Sequence, residues 1–349
     1  MRKKINIVYI CIAEKGPSGG GKIIYKHSEL INNLNKNFTS QVLHIKKKKY
    51  KKWGISINKF LNINNQKYFG WKFSDIAPNQ NYKSKWFKNN IIIKNDFNFN
   101  KNKDFVILPE IFAHFANDLL IKNKIPYAIF AQNGYCLKPT NNYSALDSAY
   151  KNAKFILSYS KDITNCVNLA FPFCKKKIFN IKYSFNEKDF KNINKKSNLI
   201  TYMPRKLPEH SEHLIFFLRK HLPKSWKIKA LHNLKQSEVY NNLCKSKIFL
   251  AFSNLEGLPL PPVEAAIAGN KVIGYTGEGG KEYWHKPNFS EISNGDFSKF
   301  HSEIINFIKK GKKSNKKFTF GRKKIIKNFS PILEEKKIKL MLKKINSFY

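Results

Sequence analysis

Two carboxylates stand with seven residues between them in the stretch Glu256-Gly257-Leu258-Pro259-Leu260-Pro261-Pro262-Val263-Glu264, between two short apolar runs. A carboxylate accepts hydrogen bonds from hydroxyls, so a pair placed by one turn can hold sugar or ribose hydroxyls, as the acidic residue of dinucleotide folds does. Lys247–Ser253 reads as a strand, ended by Asn254 and the Glu256-Gly257 turn. Pro261 and Pro262 mark a helix start, since proline is tolerated in the first turn. Val263–Ala268 carries that helix, Gly269-Asn270 stops it, and Lys271–Thr276 is a second buried strand opening into Gly277-Glu278-Gly279-Gly280. The order puts Glu256 in the loop at a strand's carboxyl end and Glu264 in the first turn of the next helix. Open α/β sheets bind ligands there. The helix start adds unpaired N–H groups and a positive dipole end, which suit a diphosphate. One glutamate in a first helical turn follows from the dipole alone; the pair, with Gly257 and a later Gly-Gly, does not.

Other candidates are weaker taken singly. Thr201-Tyr202-Met203-Pro204-Arg205-Lys206 ends a strand. Arg205 is one of four arginines against 61 lysines, and a bidentate guanidinium suits a phosphate whose charge grows as a leaving group departs. Its bland reading is a surface arginine at a strand end. Gly16-Pro17-Ser18-Gly19-Gly20-Gly21 follows the first strand, and glycines there let a backbone approach a phosphate. Lys22 is not followed by Ser or Thr, and G-x-G-x-x-G spacing is absent, so alone this is a flexible loop. Gln132-Asn133-Gly134 follows the strand Tyr127–Ala131 and offers hydrogen bonds but no base; it is equally a turn signal. The nine histidines have no metal-ligand spacing, no Asp-x-Asp occurs, and no metal site is expected.

The segment EGLPLPPVE, followed by AAIAG and a Gly-rich turn, resembles the E-x7-E signature of retaining GT-B glycosyltransferases, and most of all family 4, which uses nucleotide-diphospho-sugars. The resemblance is specific over about residues 230 to 285 and extends along the chain as an order of elements. It implies that Glu256 meets the donor sugar's hydroxyls, Glu264 the ribose, and Gly257, Leu258 and Pro259 the donor's surroundings. It also implies that Gly19 and Gly20 lie near donor phosphate or acceptor, and that Gln132 and Asn133 reach the sugar from the first domain. The family clamps the diphosphate with Arg and a Lys a few residues on. Arg205 matches, but the usual Lys position falls close to His210, while Lys206 adjoins Arg205, so His210 and Lys206 both stand as the second cation. No cofactor is implied beyond the donor substrate, and no metal.

Those residues need a scaffold. Strands alternate with helical patterns along the chain, the mark of an α/β fold with parallel sheets. Ile5–Ile12, Gln41–Ile45, Phe105–Leu108, Tyr127–Ala131 and Phe155–Tyr159 read as strands of a first domain, with a helix over Ile23–Leu34. Residues 46–100 have little helical period and stay unassigned. Glu187–Ser197 is charged and reads as a linker; Leu199–Met203 and Trp226–Ala230 open a second series. The expected domains are 1–186, 187–328 and a C-terminal helix from Phe329, which the resemblance sends back to the first domain, with two Rossmann-like domains facing a cleft.

A net charge of +42 invites a nucleic-acid or anionic-membrane reading. The excess is lysine, and Asn, Ile, Phe and Tyr, all with AT-rich codons, are abundant too, so genome bias is a sufficient cause. Scarce arginine weakens the nucleic-acid reading, since Arg makes the bidentate phosphate and guanine contacts. Basic-aromatic stretches at Lys46–Trp53, Lys67–Phe73 and Lys83–Lys88 have the composition of a membrane-interface patch, a single-strand groove, or a solvated insertion with aromatics beneath. The basic and apolar start is too short for a signal peptide and lacks a cleavage pattern, so a first strand is expected. No run approaches the roughly 20 apolar residues of a membrane helix. The five cysteines, odd in number, fit reduced thiols in a cytoplasm. The expected protein is a cytoplasmic transferase peripheral to the membrane, with a glycan or lipid-linked acceptor. Its rivals are a basic nucleic-acid-binding protein, a GT-B fold nucleotide-sugar epimerase and a non-catalytic relic.

Overall fold

The apolar runs form two sheets in the computed structural model, which describes residues 4–14, 16, 18–34, 36–48, 68–82, 84, 90–191, 196–310 and 315–349. Packing divides the chain into one unit of Met1–Tyr159, Ile163–Ile181 and Glu335–Tyr349, and another of Ser160–Asp162 and Lys182–Glu334. The sequence put these divisions at residues 187 and 329.

The first unit runs β1 (Ile5–Ile12), α1 (Gly19–Leu34), β2 (Phe38–Lys47), β3 (Ile76–Pro78), β4 (Ile92–Ile93), β5 (Asp104–Pro109), β6 (Tyr127–Ala131), α2 (Tyr143–Asn152), β7 (Phe155–Ser158), α3 (Lys161–Ala170) and β8 (Ile178–Asn180). The sheet order is β3-β2-β1-β5-β6-β7-β8, with β4 beside β2. The pairings are parallel except that of β2 with β3. Parallel strands lie under helices on both faces, so they read as unbroken apolar runs. β5, β6 and β7 accordingly are buried along their whole length. Phe105 stacks on Phe155 (5.5 Å) and Phe348 (6.1 Å), and the Tyr349 hydroxyl donates to the Asp104 carbonyl at 2.6 Å.

The second unit is built from β9 (Leu199–Tyr202), α4 (Pro208–Leu218), β10 (Lys227–Ala230), α5 (Gln236–Lys245), β11 (Ile248–Glu256), α6 (Leu260–Ile267), β12 (Lys271–Glu278), β13 (Phe289–Glu291), α7 (Phe297–Lys310) and α8 (Asn315–Asn328). Its parallel sheet has the order β10-β9-β11-β12-β13. Ile200, Leu250 and Ile273 from three adjacent strands form the core with Leu214, Leu218, Phe300 and Ile304 from α4 and α7. Each such side chain contributes roughly 1.5–3 kcal/mol of burial. The last helix, α9 (Pro331–Asn346), buries Ile338, Met341 and Ile345 in the first unit.

Three local expectations change. β11 runs three residues past Ser253, because Leu255 takes φ 42° and a register shift keeps Glu256 paired with Glu278. Glu256 is therefore the last residue of a strand and not a loop residue. α6 starts at Leu260, after an extended Pro259, so Glu264 is its fifth residue and lies in the second turn. Gly19 and Gly20 belong to the first turn of α1, because the Ser18 hydroxyl accepts from the Gly21 N–H at 3.2 Å and starts the helix early.

Candidate active site

Each sheet reverses its strand order once. After β1 the chain adds β2 on one side and β5 on the other, and after β9 it adds β10 on one side and β11 on the other. At such a point two loops leave the carboxyl ends of neighbouring strands in opposite directions, opening a crevice where ligands settle.

In the second unit the loops at that point are Pro204-Arg205-Lys206, after β9, and Gly257-Leu258-Pro259, which follows Glu256 at the end of β11. Lys206 Nζ lies 2.9 Å from Glu256 Oε1, with the side chains 39% and 20% exposed. An ion pair this wet is worth about 0–1 kcal/mol of stability, so it is not a structural necessity. Arg205 is exposed on the same turn. A cation and a carboxylate thus meet at the switch point, next in sequence to Arg205. His210 is engaged elsewhere: its Nδ1 lies 3.1 Å from the Tyr275 hydroxyl, which accepts the Gly295 N–H. Of the two candidates for second cation, the structure brings Lys206 to Glu256.

Glu264 is 6% exposed, and Tyr240 on α5 donates its hydroxyl to Glu264 Oε1 at 3.2 Å. Burial raises the Tyr240 hydroxyl's pKa, and the Glu264 charge raises it further. The helix start offers an anion less than expected. Pro261 and Pro262 occupy the first turn of α6 and have no N–H to give.

The glycines at the end of β12 and just past it have a steric role that the sequence signalled only as a Gly-rich turn. A Cβ on Gly279 would fall 1.8 Å from the Gly257 carbonyl oxygen, and one on Gly277, at φ 63°, would fall 2.7 Å from Ser253 Cβ. The two loops therefore pack backbone to backbone, and Tyr283 ties them by donating to the Pro259 carbonyl at 2.6 Å. Glu278 holds φ 68° beside its register partner Glu256. Strained backbone of this kind clusters at functional sites.

In the first unit, Gln132 follows β6 and donates from Nε2 to the Gly20 carbonyl at 3.2 Å, so these two candidates meet. The Asn133 side chain caps its own turn by accepting the Tyr135 N–H at 3.3 Å. Gly134 is required there, because a Cβ would lie 2.6 Å from the Cys166 side chain. Sequence reasoning missed Glu110, which is 2% exposed just after β5 and accepts the Asn133 N–H at 2.8 Å. Nothing in its local sequence marks it; only the pairing of β5 with β6 puts it there. Among the described residues no group of three or more His, Cys, Asp or Glu side chains is placed to hold a metal ion.

No protein-family model and no curated protein sequence matches the chain. Solved structures do match its fold. HepE from Anabaena, in complex with UDP and glucose, is similar over 97% of this chain and 99% of its own, with a TM-score of 0.66 at 10% identity. A sucrose-phosphate synthase from Thermosynechococcus elongatus reaches 0.66 at 7% identity over 99% of this chain and 100% of its own. The lipopolysaccharide outer core galactosyltransferase WaaB, in apo form, reaches 0.59 at 14% identity over 99% and 100%. The chain has the α/β fold of GT-B glycosyltransferases, with two Rossmann-like units.

Proposed function

We propose that this chain is a retaining glycosyltransferase of the family 4 type, moving a sugar from a nucleotide-diphospho-sugar to a hydroxyl of a glycan or lipid-linked acceptor. The observation that carries the reading is the ion pair of Lys206 with Glu256 at the switch point of the second unit, with Arg205 exposed on the same turn as Lys206. HepE, of like fold, holds UDP-glucose in one of its structures, which supports a UDP-sugar as the first donor to try.

The leaving diphosphate gains charge as the C1–O bond to phosphate breaks. Arg205 and Lys206 stabilise that charge where it develops, which is worth most in the transition state. Lys206 moves from Glu256 to the phosphate, and Glu256 is freed for the sugar hydroxyls. The new C1–O bond forms on the face the leaving group departs from, and the acceptor's proton passes to the leaving phosphate oxygen. Glu264 takes the ribose hydroxyls. Because the cations supply the field, the reaction proceeds without a metal.

UDP is expected to raise the melting temperature by mass action, equally with and without EDTA. A UDP shift that EDTA abolishes, or none from any nucleoside diphosphate, overturns the reading. Glu264→Ala should weaken UDP binding by about 1–3 kcal/mol, the scale of a lost charged hydrogen bond. Calorimetric titration giving unchanged affinity would remove Glu264 from the ribose role.

The acceptor is proposed to lie at the cytoplasmic face of a membrane, with the protein peripheral to it. Lys46, Lys47 and Lys48 are exposed at the end of β2, with Lys47 Nζ 5.4 Å from the centroid of the Trp71 ring. Tyr68, Trp71 and Phe73 turn toward Phe112 and Phe115 of the first unit, so in the described part of the patch the lysines form its outward surface. Residues 49–67, 83 and 85–89, the rest of the patch, lie outside the described residues. No helix among the described residues is long and apolar enough to cross a membrane. Each Lys near an anionic surface contributes about 1 kcal/mol. Changing Lys46, Lys47 and Lys48 together to Gln should release the protein from anionic vesicles at physiological salt and leave UDP binding intact. Equal sedimentation of variant and wild type assigns the charge to codon bias.

A further inference from the structure

The switch point of the first unit has a buried acid of its own. Glu110 leaves the end of β5, starts the short helical stretch Glu110–Phe115, and reaches under the turn that follows β6. One oxygen, Oε1, accepts the Asn133 N–H at 2.8 Å. The other, Oε2, is buried as well. From Asn133 the contact chain runs to Gln132 and on to the Gly20 carbonyl in the first turn of α1.

We propose that Glu110 is a positioning residue, holding the Gln132-Asn133-Gly134 turn, and through it the start of α1, in two strengths set by its own protonation. This deepens the transferase reading, since that turn is the acceptor-side element of the proposed reaction. Burial pushes the Glu110 carboxyl up to about 7, against main-chain hydrogen bonds from Gln132, Glu110 and Asn133 that pull it down, and no charged side chain contributes. The titratable neighbours leave this assignment to Glu110. Tyr150 on α2 stays protonated, raised by burial and then by Glu110's charge. Tyr143, Asp147 and Lys151 on α2 are exposed. His114, on Glu110's own stretch, is held by the Trp71 carbonyl at 2.7 Å. Tyr127 on β6 donates to Ala149, Asp118 is salt-bridged to Lys122, and Asp104 stands at the far end of β5. When Glu110 is ionised, its bond to the Asn133 N–H is charge-assisted and roughly twice as strong as a neutral one. When it is protonated the turn is held more loosely.

The test is amide exchange of the full chain between pH 5.5 and 8.5, corrected for the intrinsic rate. Protection of the Asn133 amide should rise about tenfold through pH 7 in wild type, the scale of about 1.4 kcal/mol. It should be flat in Glu110→Gln, which keeps an acceptor and cannot ionise. A flat wild-type profile, or the same step in the variant, overturns the proposal. Stability gives a second readout. A carboxyl whose folded pKa lies above its unfolded value adds stability at low pH and loses it as pH rises through the folded value. The melting temperature of wild type relative to Glu110→Gln should therefore fall between pH 5 and 8; a constant difference counts against the assignment. Neither measurement needs substrate, so each can fail while UDP binding succeeds, and the reverse.

Discussion

Glu256→Gln is expected to lower turnover of a UDP-sugar donor by about 100- to 1000-fold, the range for removing one preorganised transition-state contact. UDP affinity should hold or tighten. The prediction follows from the ion pair: Lys206 Nζ lies 2.9 Å from Glu256 Oε1, so removing the carboxylate's charge frees the lysine for the diphosphate. Stability should change by less than about 1 kcal/mol, because both side chains are partly exposed. Steady-state kinetics and calorimetric titration on the same preparation separate the effects. If the Glu256→Gln variant binds UDP more weakly and turns over as before, Glu256 is a diphosphate ligand and its assigned role is wrong.

Gly279→Ala is expected to cost about 4 kcal/mol or more, or to yield no soluble protein, since overlap of this kind belongs to the extreme tail of single substitutions. Its Cβ would stand 1.8 Å from the Gly257 carbonyl oxygen and 2.2 Å from that carbonyl carbon, and main chain cannot swing aside as a side chain can. Relief would require separating the loops after β11 and β12, which takes the Glu256 carboxylate out of register with Glu278. Gly16→Ala is the matched control, because nothing lies within 4 Å of its Cβ, and it should be near neutral. Urea denaturation of the pair decides the matter; a loss under about 1 kcal/mol at residue 279 would mean the loops do not abut.

The amino-acid sequence alone determined what depends on neighbours in the chain. Apolar runs at Ile5–Ile12, Tyr127–Ala131 and Lys271–Thr276 became strands, because covered parallel strands need unbroken apolar stretches. The alternation of those runs with helices set the α/β class, and the spacing of Glu256 and Glu264 put one carboxylate at a strand end and the other on the following helix. Boundaries slipped where a single residue's backbone decided them, at Leu255 with φ 42° and at Ser18 with its cap. Tertiary structure decided what depends on strand order. Lys206 met Glu256 because β9 and β11 are neighbours, and His210 went to Tyr275 because α4 and β12 contribute to one core. Glu110 found Asn133 only when β5 paired with β6. These partners are 50, 65 and 23 residues apart. Side-chain period and turn chemistry act over a few residues, whereas strand order follows from burying all the apolar faces at once, and no short window of sequence contains it.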